Sequence, residues 1–527
     1  MSSTANLRSR RSAAQLQALA GVEREIRFQD QHSRRKYLRE FNQAFRKYEC
    51  LLDSEQVRDE LHSADIILIG DYHALATAQR HAASLIEQRA LAGDRPVILG
   101  VETIFARDQH ILDEWWRREI EEDEFRQRIR FDLDWGYDWT PFYELLVTAR
   151  DSAYAVYGLD CMPREDLRKI GARDRHAAIK VAEIRRAYPD AVIFVLFGES
   201  HLAPGHLPHE IREQIPEAKV LTVLQNIDAL YWHAAGERAD KVEAVRVNDD
   251  VLCVFNATPL EKYESYRLCL DQWSRCDDGP DFAPTIYNLI ESLAAFLEIN
   301  RYSPHNGTQP RFLVDMLPEI YGHSSDAMLR RTLARKGVSG TLCEAMLGGV
   351  EERGSAYLPE VNAFCIREFQ MMHAAEDVAR FLHQACQGLP RRINGHVPEE
   401  PCSAADRFYA RVIEHAVAYV GSRILHPSRP APEFDHSQQL SRAACEKTAQ
   451  SAARTDAAEF EASAQLWGFR IGHQIYEAYL AGKVAPSGLR RLFLAHLGEP
   501  GIARKVCAAV ISKLRSISRP AGRSASA

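Results

Sequence analysis

Six short segments, most of them apolar on both faces, constrain this chain more than any other feature. They are ADIILIG (64–70), PVILGVE (96–102), AYAVYGLD (153–160), AVIFVLFG (191–198), KVLTVLQN (219–226) and VLCVFNAT (251–258). A half-exposed strand alternates apolar and polar residues, whereas these need cover on both sides. The stretches between them carry apolar residues at helical spacing. Leu75, Ala78, Ala82, Leu85 and Ile86 mark the first helix, and Ile111, Leu112, Trp115, Trp116 and Ile120 the second. Phe142, Leu145, Leu146 and Ala149 mark a third, and Leu167, Ile170, Val181, Ile184 and Tyr188 a fourth. This alternation predicts an α/β fold with a mainly parallel sheet flanked by helices.

The flanks differ in texture. Residues 22–62 read as helix, with Tyr37, Leu38, Phe41, Phe45, Tyr48 and Leu51 at helical spacing. Beyond about residue 260 strands are no longer expected. Tyr263–Cys276 reads as the last helix of the α/β part, and 277–284 as a linker. The remainder is expected to be mostly α-helical, with breaks at 388–403 and 426–435. A long helical pattern over 438–482 carries Gly468 and Gly472, which predict close helix packing or a kink. The expected division is a basic helical extension over 1–39, an α/β domain over 40–276, a helical domain over 284–516 and a disordered tail over 517–527. Charge follows a similar division. Residues 1–50 hold eleven Lys and Arg against five Asp and Glu, and 501–527 hold six against none, so the overall −7 leaves −19 for 51–500.

Several function classes are excluded by what is missing. An acidic body argues against a nucleic-acid partner. The eleven cysteines form no C-x-x-C pair, which fits a reducing compartment better than a disulfide framework or a zinc ribbon. The basic N-terminus is not followed by an apolar h-region, and no run approaches the ~20 apolar residues of a membrane helix, so a soluble cytoplasmic protein is expected. The P-loop pattern, the dinucleotide G-x-G-x-x-G and the G-x-S-x-G nucleophile elbow are absent.

The chemistry collects at the carboxyl ends of the expected strands, where open α/β sheets bind ligands. The first strand runs into Gly70, Asp71, Tyr72 and His73, the second ends on Glu102 and the third on Asp160. The fourth runs into Gly198, Glu199, Ser200 and His201, followed by a loop with His206 and His209. Two turns thus repeat one pattern, glycine, acid, any residue, histidine. Glycine permits the sharp exit, and the acid and imidazole then face the crevice. His73, Glu102 and His201 are the expected catalytic or metal-ligating set. Gly70, Asp71, Tyr72, Asp160, Gly198, Glu199 and His206 are expected to line the ligand. Four carboxylates at one edge favour a cation.

These residues, in this order, resemble the haem-binding uptake/Tiki superfamily, and most closely its ChaN-like branch. The resemblance rests on GDYH (70–73), Glu102, GESH (198–201) with the following LAPGHLP, and DWTPFYELLVTAR (138–150), over roughly residues 40–275. Asp71 stands where the family usually has Glu. The resemblance implies a haem, iron or divalent-metal binding protein. For haem, Tyr72, His73 or His201 offers an axial ligand and Trp115, Trp116, Trp135 and Trp139 an apolar floor, the alternative for these tryptophans being the core side of amphipathic helices. The superfamily's Tiki and erythromycin-esterase branches imply the alternative of a hydrolase, metal-dependent or metal-free, acting on an ester or a peptide, with His73, Glu102 and His201 activating water. A third reading is a non-catalytic interaction protein. The expected partner is a small-molecule or metal ligand.

Overall fold

A computed structural model describes residues 2–30, 36–162, 170–235, 242–274, 279–299, 317–322, 326–335, 337–338, 340–387, 403–431, 440–452 and 454–518. Leu167, most of the expected 388–403 break and nearly all of the expected tail lie outside them. The chain divides into two units, Glu23–Leu270, and Met1–Val22 together with Asp271–Ala527.

The first unit is built on an eight-stranded sheet. Its strands are β1 (Cys50–Leu52), β2 (Ile66–Asp71), β3 (Val97–Phe105), β4 (Ala155–Asp160), β5 (Val192–Gly198), β6 (Val220–Gln225), β7 (Ala244–Asn248) and β8 (Val251–Val254). The order is β1-β7-β8-β6-β2-β5-β3-β4. β8, β6, β2, β5, β3 and β4 run parallel, and β7 pairs antiparallel with both β8 and β1. All six expected strands are present. β1 and β7 are additional, and β1 breaks the helix expected over 22–62.

Alternation of side chains explains why the strands are apolar throughout. Ile67, Ile69, Leu99, Val101, Phe194 and Leu196 bury on one face, under helices Ala76–Leu91 and Trp139–Ser152. Ile66, Leu68, Ile98, Ile193, Val195 and Phe197 bury on the other, under helices Ile170–Ala187 and Leu207–Gln214. The order also sets the site. β5 lies between β2 and β3, with Asp71 opposite Gly198 in the β2–β5 ladder. The two glycine turns, 128 residues apart, therefore leave the sheet side by side.

The second unit is mostly helical, but strands do not stop at 260. β9 (Glu319–Gly322), β10 (Ser355–Leu358) and β11 (Ala363–Ile366) form a small sheet in the order β10-β11-β9. The 438–482 pattern is two helices, Arg442–Ala452 and Ala457–Leu480, the second capped by Asp456, which accepts from Glu459 N–H. The Gly468 and Gly472 reading holds: both lie where Ala457–Leu480 crosses helix Ala404–Leu425. A Cβ on Gly468 would meet His415 Cβ and lie 2.7 Å from Val412 O, and one on Gly472 would lie 2.8 Å from Ala416 O. Backbone cannot yield, so Gly468→Ala is expected to cost about 1–3 kcal/mol, read as a lower denaturation midpoint. Gly348→Ala, on the open face of helix Thr341–Arg353, is the control and should stabilise by about 0.5–1 kcal/mol. A midpoint unmoved by Gly468→Ala would contradict the close crossing.

Candidate functional site

Glu102, near the end of β3, is the centre of the site. It is 4% exposed, and its two oxygens are separately engaged. Oε2 accepts the Gly198 N–H at 2.5 Å, and Oε1 accepts from Arg173 Nη2 at 2.5 Å. Arg173 also donates through Nε and Nη2 to Asp160, at 2.8 and 2.9 Å. Two imidazoles face Glu102 from the glycine turns, His201 Nε2 at 3.6 Å from Oε1 and His73 Nε2 at 3.8 Å from Oε2. Burial pushes the Glu102 pKa up, but His201, Arg173, His73 and the Gly198 N–H outweigh it and hold the carboxyl ionised well below its usual range. Gly198 is required by close approach: a Cβ there would sit 3.1 Å from both Glu102 Oε2 and His73 Nε2.

Each imidazole is held from behind by an aspartate. His73 Nδ1 lies 2.7 Å from Asp71 Oδ2, and Gln79 Nε2 donates to the other Asp71 oxygen. The His73 ring rests against Trp135 and Tyr137, with centroids 4.4 and 5.2 Å away. His201 Nδ1 lies 2.5 Å from Asp174 Oδ1. Asp174 Oδ2 lies 3.0 Å from His206 Nδ1, and His206 Nε2 lies 3.5 Å from Glu40.

The Asp174 hydrogen bond raises the His206 pKa above 6.5 by more than burial lowers it. Because the folded value is the higher one, the stabilisation is fully present below pH 6.5 and fades as pH rises through the raised value. The stability difference between wild type and His206→Asn should therefore be larger near about pH 6 than near about pH 9 in denaturation series. Equal differences at both would contradict it.

A cavity of about 330 Å³ opens beside this centre, within the Glu23–Leu270 unit. Asp71, Tyr72, His73, Gly198, Glu199 and Ser200 line one side. Ile26, Leu38 and Phe41 contribute from the N-terminal segment, and Lys262, Tyr263 and Tyr266 from helix Pro259–Ser274. Its volume falls at the low end of ligand pockets, about 300–1,000 Å³. Lys262 Nζ donates to both Glu199 oxygens, at 3.0 and 2.9 Å, and lies 4.7 Å over the Tyr72 ring.

The expected site residues thus fall in two groups. Glu102, Asp160 and His201 surround Arg173, and the Asp71–His73 pair approaches the other Glu102 oxygen, while Glu199 and Tyr72 surround Lys262. Gly70 and Gly198 are the close strand ends, with Glu199 Cβ 3.4 Å from a Cβ on Gly70. His206 belongs to the Asp174 chain, and His209 is exposed. The gathered carboxylates do meet cations, but these are the protein's own guanidinium and ammonium. Among the described residues, no group of three or more His, Cys, Asp or Glu is arranged to hold a metal ion. The tryptophan floor is not assembled: Trp115 stacks on Phe125 and Trp139 on Tyr143 in the core, and Trp135 alone of the four stands against His73. No described helix is long and apolar enough to cross a membrane.

Arg173, Asp174, Asp228 and Lys262 were not anticipated. Arg173 and Asp174 did leave a signal. They precede Ala177, Ala178 and Val181 at helical spacing, so they share the buried stripe of Ile170–Ala187.

Comparison with known proteins gives the following likenesses. A solved structure titled cofacial heme binding to ChaN of Campylobacter jejuni is similar at 14% identity and a TM-score of 0.28, over 33% of this chain and 86% of that one. No curated protein matches. Residues 57–202, from the helix before β2 to the His201 turn, match the family model described as haem-binding uptake, Tiki superfamily, ChaN.

Proposed function

We propose that the cavity beside β2 and β5 binds a small organic ester and hydrolyses it by acid–base chemistry, with His73 as the base. The Asp71–His73 pair carries the reading. A carboxylate on Nδ1 favours the tautomer with the proton on that nitrogen, which leaves Nε2 as the acceptor. His73 then takes a proton from water, while Asp71 and the ionised Glu102 stabilise the imidazolium that forms. His201, held by Asp174, is the second imidazole at Glu102 and serves the return of the proton. A metal-dependent version has less support, because Arg173 already occupies Glu102 and Asp160. The test is turnover of a panel of p-nitrophenyl and thio-esters by the full chain, before and after chelation. Turnover that survives chelation is the expected result; no turnover of any ester in the panel would overturn the reading.

Haem binding is the second reading, favoured by the superfamily matched over 57–202. The cavity offers Tyr72 as a phenol and aromatic walls. Against it stand the carboxylates of the lining, which oppose propionate groups, and the burial of Tyr72, which pushes its phenol well above 10 and away from phenolate. A Soret shift on adding haem to wild type, lost in Tyr72→Phe, would favour this reading over hydrolysis.

A further inference from the structure

Among the described residues, the cavity lining holds four carboxylates, Asp30, Asp71, Glu199 and Asp228, against one lysine and one histidine. Three of the four are answered within the unit. Asp71 faces His73 and Gln79, Glu199 takes Lys262 on both oxygens, and Asp30 accepts the Tyr266 hydroxyl at 3.0 Å. Asp228 is different. The Tyr263 hydroxyl bonds to its carboxylate, yet Oδ1 is buried and has no hydrogen-bond partner among the described residues. A buried carboxylate oxygen without a donor is costly, because it gives up water and gains nothing.

Lys262 does not meet this need. Its three hydrogens go to Glu199 Oε1, Glu199 Oε2 and the Asn226 carbonyl, at 3.0, 2.9 and 3.3 Å. The surroundings of Asp228 suit a second cation. Tyr72, Tyr263 and Tyr266 line the same space, and aromatic rings attract ammonium groups. The Lys262 ammonium over the Tyr72 ring is an instance within the protein itself. Ile26, Leu38, Phe41 and Ile227 supply apolar wall for a carbon skeleton.

We propose that Asp228 and the surrounding tyrosines form a subsite for a protonated organic amine, which donates an N–H to Asp228 Oδ1 and rests its carbon body on the apolar wall. The proposal shares a cavity with the hydrolase reading but concerns binding alone, so it is measured without turnover, and either can fail while the other stands.

The experiment titrates the full chain near neutral pH with benzylammonium and with benzyl alcohol, a neutral probe of nearly the same shape, by calorimetry or saturation-transfer NMR. The wild type is expected to bind benzylammonium about tenfold or more tighter, the effect of one charge-assisted hydrogen bond. Asp228→Asn should abolish most of that preference and leave benzyl alcohol unchanged. Equal affinity of the wild type for the two probes, or binding of neither, would overturn the proposal, with a water molecule then meeting Oδ1. An undiminished preference in Asp228→Asn would overturn it as well. If that variant does not fold, the wild-type preference decides, together with its loss in Tyr266→Leu.

Discussion

Arg173→Met is expected to destabilise the protein by about 3–5 kcal/mol, a large share of a typical total of about 5–15 kcal/mol. The side chain is 4% exposed and is the cation shared by Glu102 and Asp160, themselves 4% and 1% exposed. Methionine fills a comparable volume but removes the cation that bridges the two buried carboxylates, leaving Glu102 to His201, His73 and the Gly198 N–H. With Arg173 gone, burial of Glu102 is less fully offset and its pKa rises, so the loss should be greatest at neutral pH and smaller in mild acid. Arg173→Lys keeps the charge but loses the planar fork that reaches both carboxylates, and should recover only part of the stability. Adding Glu102→Gln and Asp160→Asn to Arg173→Met should recover more, since no buried charge then remains unpaired. The measurement is the chemical denaturation midpoint of the full chain, followed by near-UV circular dichroism. A midpoint within about 0.5 kcal/mol of wild type for Arg173→Met would refute the role given to this residue.

The second large effect is on turnover. His73→Ala should lower kcat for an ester substrate by about 10²–10⁴, the usual contribution of a positioned general base. KM should change little, since the imidazole acts on water rather than on the body of the substrate. Asp71→Asn tests the same pair differently. The amide can donate to Nδ1 and so favour the tautomer with the proton on Nε2, which is the wrong one for a base. Its loss in kcat should therefore approach that of His73→Ala despite an almost unchanged shape. A His73→Ala protein that turns over ester at the wild-type rate would remove the acid–base reading.

The fold was legible where burial is two-sided. A strand covered on both faces has no polar alternation to dilute its pattern, so β2, β3, β4, β5, β6 and β8 stood out as apolar runs. β1 has three residues and β7 leaves the core after two, with Arg246 and Val247 half-buried and Asn248 exposed, so neither rises above its neighbours. The break between Arg442–Ala452 and Ala457–Leu480 was written in Asp456 and Glu459, an N-cap with its acid three residues on, but the apolar spacing runs across it. In the site, the residues that follow strands were accessible because topology sends strand ends to one edge. Arg173 and Lys262 come from helices, where a charged residue ordinarily means a solvated face. Only their place on a buried stripe distinguishes them. Strand order carries no local signature, and the insertion of β5 between β2 and β3 is what makes neighbours of His73 and His201.

That insertion also sets the smallest piece of this chain that can be handled alone. The superfamily stretch, 57–202, contains β2 to β5 but not β6, which pairs with β2 through Ile66–Ile69. Cut out by itself, it would turn the wholly buried β2 into an open margin of unpaired N–H and C=O groups carrying isoleucine and leucine, the form of strand edge that recruits other chains. A fragment made for study therefore has to begin before β1 and run past β8, so that the sheet closes its own flank with the short antiparallel β7 and β1.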